Sequence, residues 1–407
     1  GAVTGTVAVG PNPRQVSING DGARVLVSRF ITPALPGEGT AVVQTTGRGG
    51  EVVIVDAATL AVQATTVLQH SEKADNTLQG RGVPNYLGAA VISPDGASAW
   101  VPSKQDNILR GTLRDGSNLD FQNTVRAISS RIDLASLAED HAARVDHDNS
   151  SVASAAAFHP SGAYLFVALE TSRQVAVLDP VDKREVMRFD AGRAPQGLAV
   201  SADGLRLYVS NFMDRSVTVH DLTRLVQFGE FNVPAPATLA SVAAERLTAQ
   251  VLQGKRLFYD ARDPRLARDG YMSCATCHRD GGSDGRTWDL TGLGEGLRNT
   301  IALRGRGGAQ GALHWSGNFD EVQDFEGQIR ALAQGSGLMT NAQFNAGTRN
   351  QPLGDRKAGV SADLDALAAY VSSLAAFEPS PRRNADGGLV GDAFLAQKDE
   401  TSLRAGM

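Results

Sequence analysis

Hydrophobic and polar residues alternate with a period of two through much of the first 230 residues. A short turn phrase recurs there in four copies, at 18–22 (INGDG), 92–96 (ISPDG), 158–162 (FHPSG) and 200–204 (VSADG). Each copy is followed by a β-rich run such as 205–210 (LRLYVS), and this alternation is typical of half-buried strands. The Asp-Gly steps predict hairpin turns, because glycine tolerates the positive φ that such turns require.

The spacing of these phrases indicates a repeated sheet. The last two copies are 42 residues apart, the length of one four-stranded propeller blade, whereas the earlier copies are 74 and 66 residues apart. The longer spacings predict insertions, which we place at 32–47 and 115–149. Residues 1–232 are therefore predicted to form a partial all-β propeller of about four to five blades. Further blades are expected upstream of residue 1 or on another chain.

The period changes from two to helical in the second part of the chain. Apolar residues recur at helical spacing in 240–258, 321–333 and 362–374. Glycine-rich loops separate these segments. We therefore predict a multidomain protein in which the propeller is followed by a mainly α domain at 233–380. Residues 381–407 are expected to be a linker or the start of a further domain.

The composition is that of an ordinary globular protein and excludes two classes of partner. Charged residues make up 20% and hydrophobic residues 42% of the 407 residues, and the formal net charge is -5. An acidic chain without a block of lysine or arginine is not expected to bind nucleic acid. The sequence also contains no run of about 18 apolar residues, so no membrane span is predicted.

Both cysteines of the chain lie in one motif, Cys274-Ala275-Thr276-Cys277-His278. A disulfide would close a very small loop, structural zinc lacks a second Cys/His pair, and a thioredoxin-like pair would need a βαβ pattern that is absent. C-x-x-C-H is instead the attachment motif of c-type haem. We therefore predict one haem c, with thioether bonds to the two cysteines and His278 as an iron ligand. Because haem is attached in this way outside the cytoplasm, a periplasmic or secreted protein is expected.

The order of four segments resembles the bacterial di-haem cytochrome c peroxidase and MauG family. These segments are 254–259 (GKRLFY), the haem motif, 297–300 (LRNT) and 314–317 (HWSG). The resemblance covers about 245–380 and implies that the domain at 233–380 is a c-type cytochrome. Ile301 stands where the family usually has proline, and Ser316 where it usually has aspartate. The sheet repeats resemble YVTN-type β-propellers, and 207–211 (LYVSN) is closest to their signature.

This resemblance implies further residues of the haem site. Arg298 is expected to pair with a haem propionate, because guanidinium binds carboxylate bidentately, and Asn299 is expected in the same region. Trp315 is expected to wall the haem and to be available as an electron relay. His314 falls where the family places its distal ligand, which makes it the expected second iron ligand.

The sixth iron ligand decides between functions and stays open at this point. Met339, 61 residues after His278, is the alternative to His314, and an open site is the third case. An occupied position favours electron transfer to a redox partner protein or a second haem domain, whereas an open one lets peroxide reach the iron. A third interpretation makes the propeller a docking module with an accessory haem.

The family normally has two haem domains in tandem and a calcium ion between them. Residues 382–389 (RRNADGGL) resemble the linker that opens the second domain, but no second attachment motif follows. Either the second domain is lost or the chain is a fragment of a longer protein, and we favour the fragment. A calcium ion is a second cofactor that the family implies, without ligands that can be assigned here. Glu321 and Asp324, in the acidic segment that follows the HWSG step, are expected on a solvated helix face. The alternative, for an open iron site, is a role as acid/base groups for peroxide.

Overall fold

The computed structural model describes residues 2–305 and 312–376, which form consecutive antiparallel sheets followed by a helical region. The first sheet has the order β1-β2-β3-β4, with strands Pro13–Ile18, Arg24–Arg29, Gly49–Asp56 and Val62–Gln69. The second has the order β5-β7-β8-β9, with β6 paired to β7; β5 to β9 are Val83–Asn85, Val91–Ile92, Ser98–Asp106, Val125–Asp133 and Ala138–His147. The predicted linker or further domain at 381–407 lies outside the described residues.

The third and fourth sheets repeat the simple meander. The third contains β10 to β13, at Ala153–Phe158, Leu165–Leu169, Gln174–Asp179 and Arg184–Asp190. The fourth contains β14 to β17, at Pro195–Val200, Arg206–Asn211, Ser216–Asp221 and Ala237–Ala240, with helix α1 (Thr223–Phe228) before its last strand. The predicted boundary at 232 therefore lies before the last strand of this sheet.

The recurring turn phrases each connect the same two strands within a sheet. Gly22, Gly96, Gly162 and Gly204 close these turns with φ between 70° and 76°. They follow β1, β6, β10 and β14, so each sheet uses the phrase once. The prediction of hairpin turns from these phrases is confirmed, since their glycines adopt the left-handed backbone that other residues rarely adopt.

Aliphatic side chains fill the spaces between successive sheets. Leu26 and Ile54 of the first sheet share a buried cluster with Val101 of the second. Similar clusters join the second sheet to the third and the third to the fourth. Burial of this surface stabilises the stack by about 25 cal/mol per Å². The sheets match the predicted blade unit, but they do not form a closed ring within 2–305 and 312–376.

The predicted insertion at 115–149 is wrong for most of its length, because the strands β8 and β9 occupy 125–147. Charged residues of this segment form ion pairs within the sheet. Arg131 on β8 lies 2.9 Å from Asp140 on β9, and within β9 the fully buried side chain of Arg144 lies 2.5 Å from Glu139. The predicted insertion at 32–47 is a loop between β2 and β3, as expected.

The helical region begins with α2, whose first residue follows the capping side chain of Thr248. Its helices α2 to α6 are Ala249–Phe258, Cys274–His278, Glu326–Ala331, Asn341–Phe344 and Ala362–Ser373, and its hairpin strands β18 and β19 are Thr287–Asp289 and Leu297–Asn299. Single 3-10 turns occur at Phe212–Asp214, Arg279–Gly281, Thr291–Leu293 and Val322–Phe325. Among the described residues no helix is long and apolar enough to cross a membrane.

Helices α2 and α6 pack closely and form the base of this region. Gly254 permits the approach, because a Cβ at this position would collide with the Ala366 carbonyl oxygen. Leu257 and Phe258 of α2 share a buried cluster with Leu364 of α6. The helix predicted at 362–374 is confirmed, whereas the helix predicted at 240–258 forms only from residue 249.

Candidate haem site

The attachment motif forms the short helix α3. Its start is fixed by Ser273, whose backbone N–H donates to Thr276 Oγ1 at 3.0 Å. Cysteines three positions apart on a helix lie on one face, so Cys274 and Cys277 face the same side. Both are free and half-buried. The helix therefore presents two thiols and the adjacent His278 together, as covalent attachment of a haem requires.

These three residues line one large cavity. The cavity encloses about 1320 Å³, including space open to solvent. Its apolar wall comes from the helical region and from one residue of the sheet region: Leu119, Phe258, Met272, Trp288, Leu290, Ile301, Leu303, Leu313, Val322, Phe325, Leu332, Leu367 and Val371. A cleft of this character suits a flat apolar macrocycle with a few polar groups at its edge.

His278 is oriented by the backbone that follows it. Its Nδ1 lies 3.3 Å from the Gly282 carbonyl oxygen, to which a neutral imidazole can donate. The apolar surroundings lower the pKa of His278, which favours the neutral form. A neutral imidazole with one ring N–H bonded to a carbonyl is the usual form of a histidine ligand.

The surroundings of the thiols argue against thiolate chemistry. Burial raises the pKa of Cys274 to about 11, and it raises the pKa of Cys277 further. Thiols of this kind are protonated at neutral pH and are poor nucleophiles. A thioether has no proton to lose, so haem attachment is compatible with the same surroundings. The prediction of haem attachment rather than a pair of redox cysteines is thus consistent with the raised pKa values of both thiols.

His314 lies in the wall of the same cavity and is held on several sides. Its ring packs against Phe319 with centroids 4.2 Å apart and against Phe325 at 5.0 Å. Its Nδ1 lies 2.8 Å from Asn318 Oδ1, and its Nε2 lies 3.3 Å from Gln328 Nε2. Both ring nitrogens therefore have protein partners, and binding of iron by Nε2 requires the Gln328 amide to give way.

Met339 lies elsewhere in the helical region. It is 3% exposed, belongs to the cluster built on α2 and α6, and is not among the residues that line the cavity. Its backbone N–H donates to Glu326 Oε1 at 3.1 Å and its carbonyl accepts from Arg330 at 2.7 Å. Met339 is thus a core residue that does not line the cavity, although it shares its cluster with the lining residues Phe258 and Leu367.

Arg298, Asn299 and Trp315 all line the cavity. Arg298 is partly exposed and lies 3.5 Å from Glu295 through its Nε. Asn299 receives a bond from Thr287 Oγ1 at 2.8 Å on its side chain, and its carbonyl receives a bond from Trp315 Nε1 at 2.8 Å. Trp315 is 62% exposed, so it forms part of the cavity mouth.

One acidic residue of the cavity was missed by the sequence analysis. Glu295 is 4% exposed and lines the cavity, and its Oε1 accepts from Ser316 Oγ at 2.5 Å and lies 3.6 Å from His314 Nδ1. Its other oxygen receives no hydrogen bond within the described part of the chain. Glu295 follows a glycine-rich loop without a recognisable pattern. The only hint was Ser316, which replaces the usual aspartate and donates to Glu295.

The prediction that Glu321 and Asp324 lie on a solvated helix face is wrong. Both are buried, because their carboxylates hold a neighbouring loop. Glu321 accepts from the backbone N–H groups of Lys357 at 2.5 Å and Ala358 at 3.1 Å, and Asp324 accepts from Lys357 Nζ at 2.5 Å. With Asp320 they form an acidic cluster. Since protein donors occupy these carboxylates, the cluster gives no support for a calcium ion.

Comparisons with known proteins gave a family match and a distant structural neighbour. No curated protein matches the chain. Among solved structures, hydrazine synthase of Kuenenia stuttgartiensis is similar with 17% sequence identity and a TM-score of 0.38, over 51% of this chain. The chain spans 58% of that neighbour's length. The model of the di-haem cytochrome c peroxidase family matches residues 248–385, about a third of the chain. In its helical region the chain is therefore similar to the di-haem cytochrome c peroxidases, a family that implies haem c.

Proposed function

We propose that this chain is a periplasmic or secreted haem c protein that transfers electrons through a haem bound to Cys274, Cys277 and His278. The observation that carries this proposal is that the attachment helix opens onto a large apolar cavity. The match to the di-haem cytochrome c peroxidases over 248–385 supports it independently.

The residues of the cavity fit a haem. The apolar wall would exclude water from the macrocycle, and the partly exposed Arg298 is a suitable partner for a propionate. When bound, haem supplies one-electron chemistry between the ferric and ferrous states, whose balance depends on axial ligand, burial and hydrogen bonding. The exposed Trp315 at the mouth offers a contact for a redox partner protein or a second haem domain. Another chain that completes the propeller would be a second kind of partner.

The attachment is tested by co-expressing the chain with a cytochrome c maturation system in the periplasm. We expect haem that stays with the polypeptide under denaturing conditions and a mass increase of one haem. A variant with Cys274→Ser and Cys277→Ser should lose the covalent haem. If the wild-type chain carries no covalent haem under conditions that mature a control cytochrome, the proposal is wrong.

Reduction of hydrogen peroxide is a second candidate function, favoured by Glu295. A buried carboxylate beside His314 in the haem cavity is suited to move the protons of the reaction H₂O₂ + 2 e⁻ + 2 H⁺ → 2 H₂O, in which the O–O bond breaks. The electrons would come from a reduced cytochrome donor. Loss of a general acid–base group typically slows such a reaction by about a hundredfold or more. Glu295→Gln should therefore reduce peroxide turnover by that factor, and Glu230→Gln, at an exposed ion pair, should not.

The spin state of the ferric haem separates the two functions. Electron transfer with His314 as second iron ligand predicts a low-spin EPR signal that becomes high-spin in His314→Ala. Met339→Ala should leave the signal unchanged, because Met339 does not line the cavity. A high-spin signal in both wild type and His314→Ala would exclude His314 as ligand and favour the peroxidase. Steady-state peroxide turnover with reduced cytochrome c would then be measured on the same preparations.

A further inference from the structure

A lysine of the sheet region reaches the haem attachment helix. Lys104 lies on β7, and its side chain is fully buried. Its Nζ donates to the Thr276 carbonyl oxygen at 2.8 Å and lies 2.9 Å from Asp106 Oδ1 and 3.1 Å from Asp284 Oδ2. The ammonium group therefore donates hydrogen bonds to the backbone of the haem motif and to Asp284, and it forms a further ion pair with Asp106.

The charges of this group support one another. Burial alone would lower the pKa of Lys104, but the two carboxylates outweigh it and raise the pKa. Burial would likewise raise the pKa of Asp284, but Lys104, together with hydrogen bonds and Arg286, outweighs burial and lowers the pKa. An unpaired charge in such a place is strongly destabilising, whereas a fully bonded cluster is tolerated. Lys104 and Asp284 are thus both charged at neutral pH.

Further hydrogen bonds join this cluster to the cavity wall and to α3. Trp288, which lines the cavity, donates through Nε1 to Asp284 Oδ2 at 3.2 Å. Asn85 donates to Asp106 Oδ2 at 2.8 Å and to the Asp284 carbonyl at 2.9 Å. Tyr86, whose ring lies 4.4 Å from Lys104 Nζ, donates to the Cys277 carbonyl at 2.8 Å. Lys104 on β7 and Tyr86, directly after β5, therefore hold the haem motif through two backbone carbonyl groups of the motif.

We propose that Lys104 is a positioning residue of the haem, which fixes the attachment helix and, with Asp106, sets the reduction potential of the iron. A positive charge near the iron disfavours the ferric state and raises the potential, whereas a negative charge lowers it. The sheet region thereby becomes part of the redox site. The proposal rests on the haem attachment of the proposed function and holds for electron transfer and for peroxide reduction alike.

The test compares two variants that change the charge near the attachment helix in opposite directions. Lys104→Met removes the positive charge, and Asp106→Asn removes a negative charge with little change of shape. The midpoint potential of each holoprotein is measured by spectroelectrochemical titration from pH 8 to pH 10. Burial raises the pKa of Asp106 to about 6, and loss of Lys104, which lowers this pKa, raises it further, so the charge change of Lys104→Met is measured where Asp106 is ionised. We expect Lys104→Met to shift the ferric/ferrous equilibrium about tenfold toward ferric, ~59 mV lower for one electron. Asp106→Asn should shift it by a similar factor in the opposite direction.

Two further variants serve as controls. The double variant Lys104→Met/Asp106→Asn removes one charge of each sign and should return close to the wild-type potential. Lys73→Met removes a partly exposed lysine that bonds Asp146 at 2.9 Å, and it should leave the potential unchanged. A merely structural role of Lys104 would lower stability without producing shifts of opposite sign.

The outcomes are distinguishable from failure of the proposed function. Absence of covalent haem in the wild type would contradict that function. Suppose that both single variants have a normal haem content. If their potentials are then unshifted, or shifted with the same sign, the role of Lys104 is wrong while the proposed function still stands. If Lys104→Met does not fold, Asp106→Asn remains decisive, because an unchanged potential in this near-isosteric variant contradicts the proposal.

Discussion

The sheet region and the helical region are stabilised in different ways. Between sheets, aliphatic side chains from both partners fill the interface, as Ile54 and Val101 do with zero exposure. In the helical region, α2 and α6 pack directly, but Leu303 and Val371 also line the haem cavity. We therefore expect the sheets to be stable without a cofactor, because their own side chains fill the interfaces. The helical region instead surrounds a cavity, and its contacts with the sheets help to hold it in place.

Besides apolar contacts such as Phe121 against Tyr271, the contacts between the two regions include buried ion pairs. Arg279, directly after the haem motif, lies 2.8 Å from Glu170 of the third sheet. Arg286 lies 3.0 Å from Glu38, which belongs to the loop between β2 and β3. All four residues are at most 9% exposed. Buried ion pairs add geometric specificity, but the loss of one partner leaves a charge in the interior.

The largest effect is expected from loss of the haem. In the variant with Cys274→Ser and Cys277→Ser, the helical region should lose more than about 4 kcal/mol of stability, the scale of a tightly bound ligand. The four sheets should remain folded. Hydrogen exchange would show this as lost protection in α2 and α6 with retained protection in β11 and β12. Equal loss in both regions would contradict the difference in how they are stabilised.

Breaking the Arg279–Glu170 pair should be the next largest effect. Glu170→Ala leaves the Arg279 guanidinium buried without its carboxylate, which typically costs about 3–5 kcal/mol. The free energy of unfolding would be measured in guanidinium chloride on the holoprotein. Glu230→Ala breaks the exposed pair with Arg224 and should cost about 1 kcal/mol or less. Similar costs for the two variants would show that the buried pair is unimportant.

A pH effect is expected within the sheet region. Glu185 bonds His147 Nδ1 at 2.9 Å and Arg188 at 2.5 Å, and these partners outweigh burial and lower its pKa to about 2. The carboxylate therefore stabilises the fold above its unfolded pKa, and this stability is lost as the pH falls toward 2. Glu185→Gln should cost about 3 kcal/mol at pH 7 and much less at pH 2. A cost that does not change with pH would contradict the assignment.

The same histidine also shows why geometry alone does not make a site. Ser129 Oγ lies 3.0 Å from His147 Nε2, so Ser129, His147 and Glu185 have the arrangement of a hydrolytic triad. Ser129 and His147 are at most 1% exposed on two paired strands, where a substrate has no access. We therefore interpret the three as a buried structural network.

The smallest predicted effect concerns the start of α2. Thr248 caps the helix by accepting from the Val251 N–H at 3.3 Å, and Thr248→Ala should cost about 1 kcal/mol. Thr340→Ala, at the similar cap of the four-residue α5, is the matched comparison and should cost less, because so short a helix contributes little. Thermal unfolding of the helical region would measure both. A larger loss at Thr340 would contradict this order.

Local patterns predicted much of the fold, and long-range contacts explain what they missed. The strands with their turn phrases were predicted from a period of two residues, and α6 was predicted from a helical period of 3.6. Both periods are visible within one short segment of the sequence. The strands β8 and β9 were missed because their charges are neutralised by partners on the neighbouring strand, as for Arg131 and Asp140. In the site, the spacing of the two cysteines and the histidine identified the haem motif, whereas no sequence motif marks Glu295 as a residue of the cavity. Lys104 is 172 residues from Thr276, so their contact exists only in the folded chain.

The bonds from Lys104 and Tyr86 to α3 also bear on biogenesis. The enzymes that join haem to a polypeptide need access to the motif, yet its backbone carbonyls are taken by residues of the second sheet and Thr276 is fully buried. We therefore expect haem to be attached before the helical region docks on the sheets. Docking would then be the final step of maturation, and it would shield the finished attachment helix from further processing.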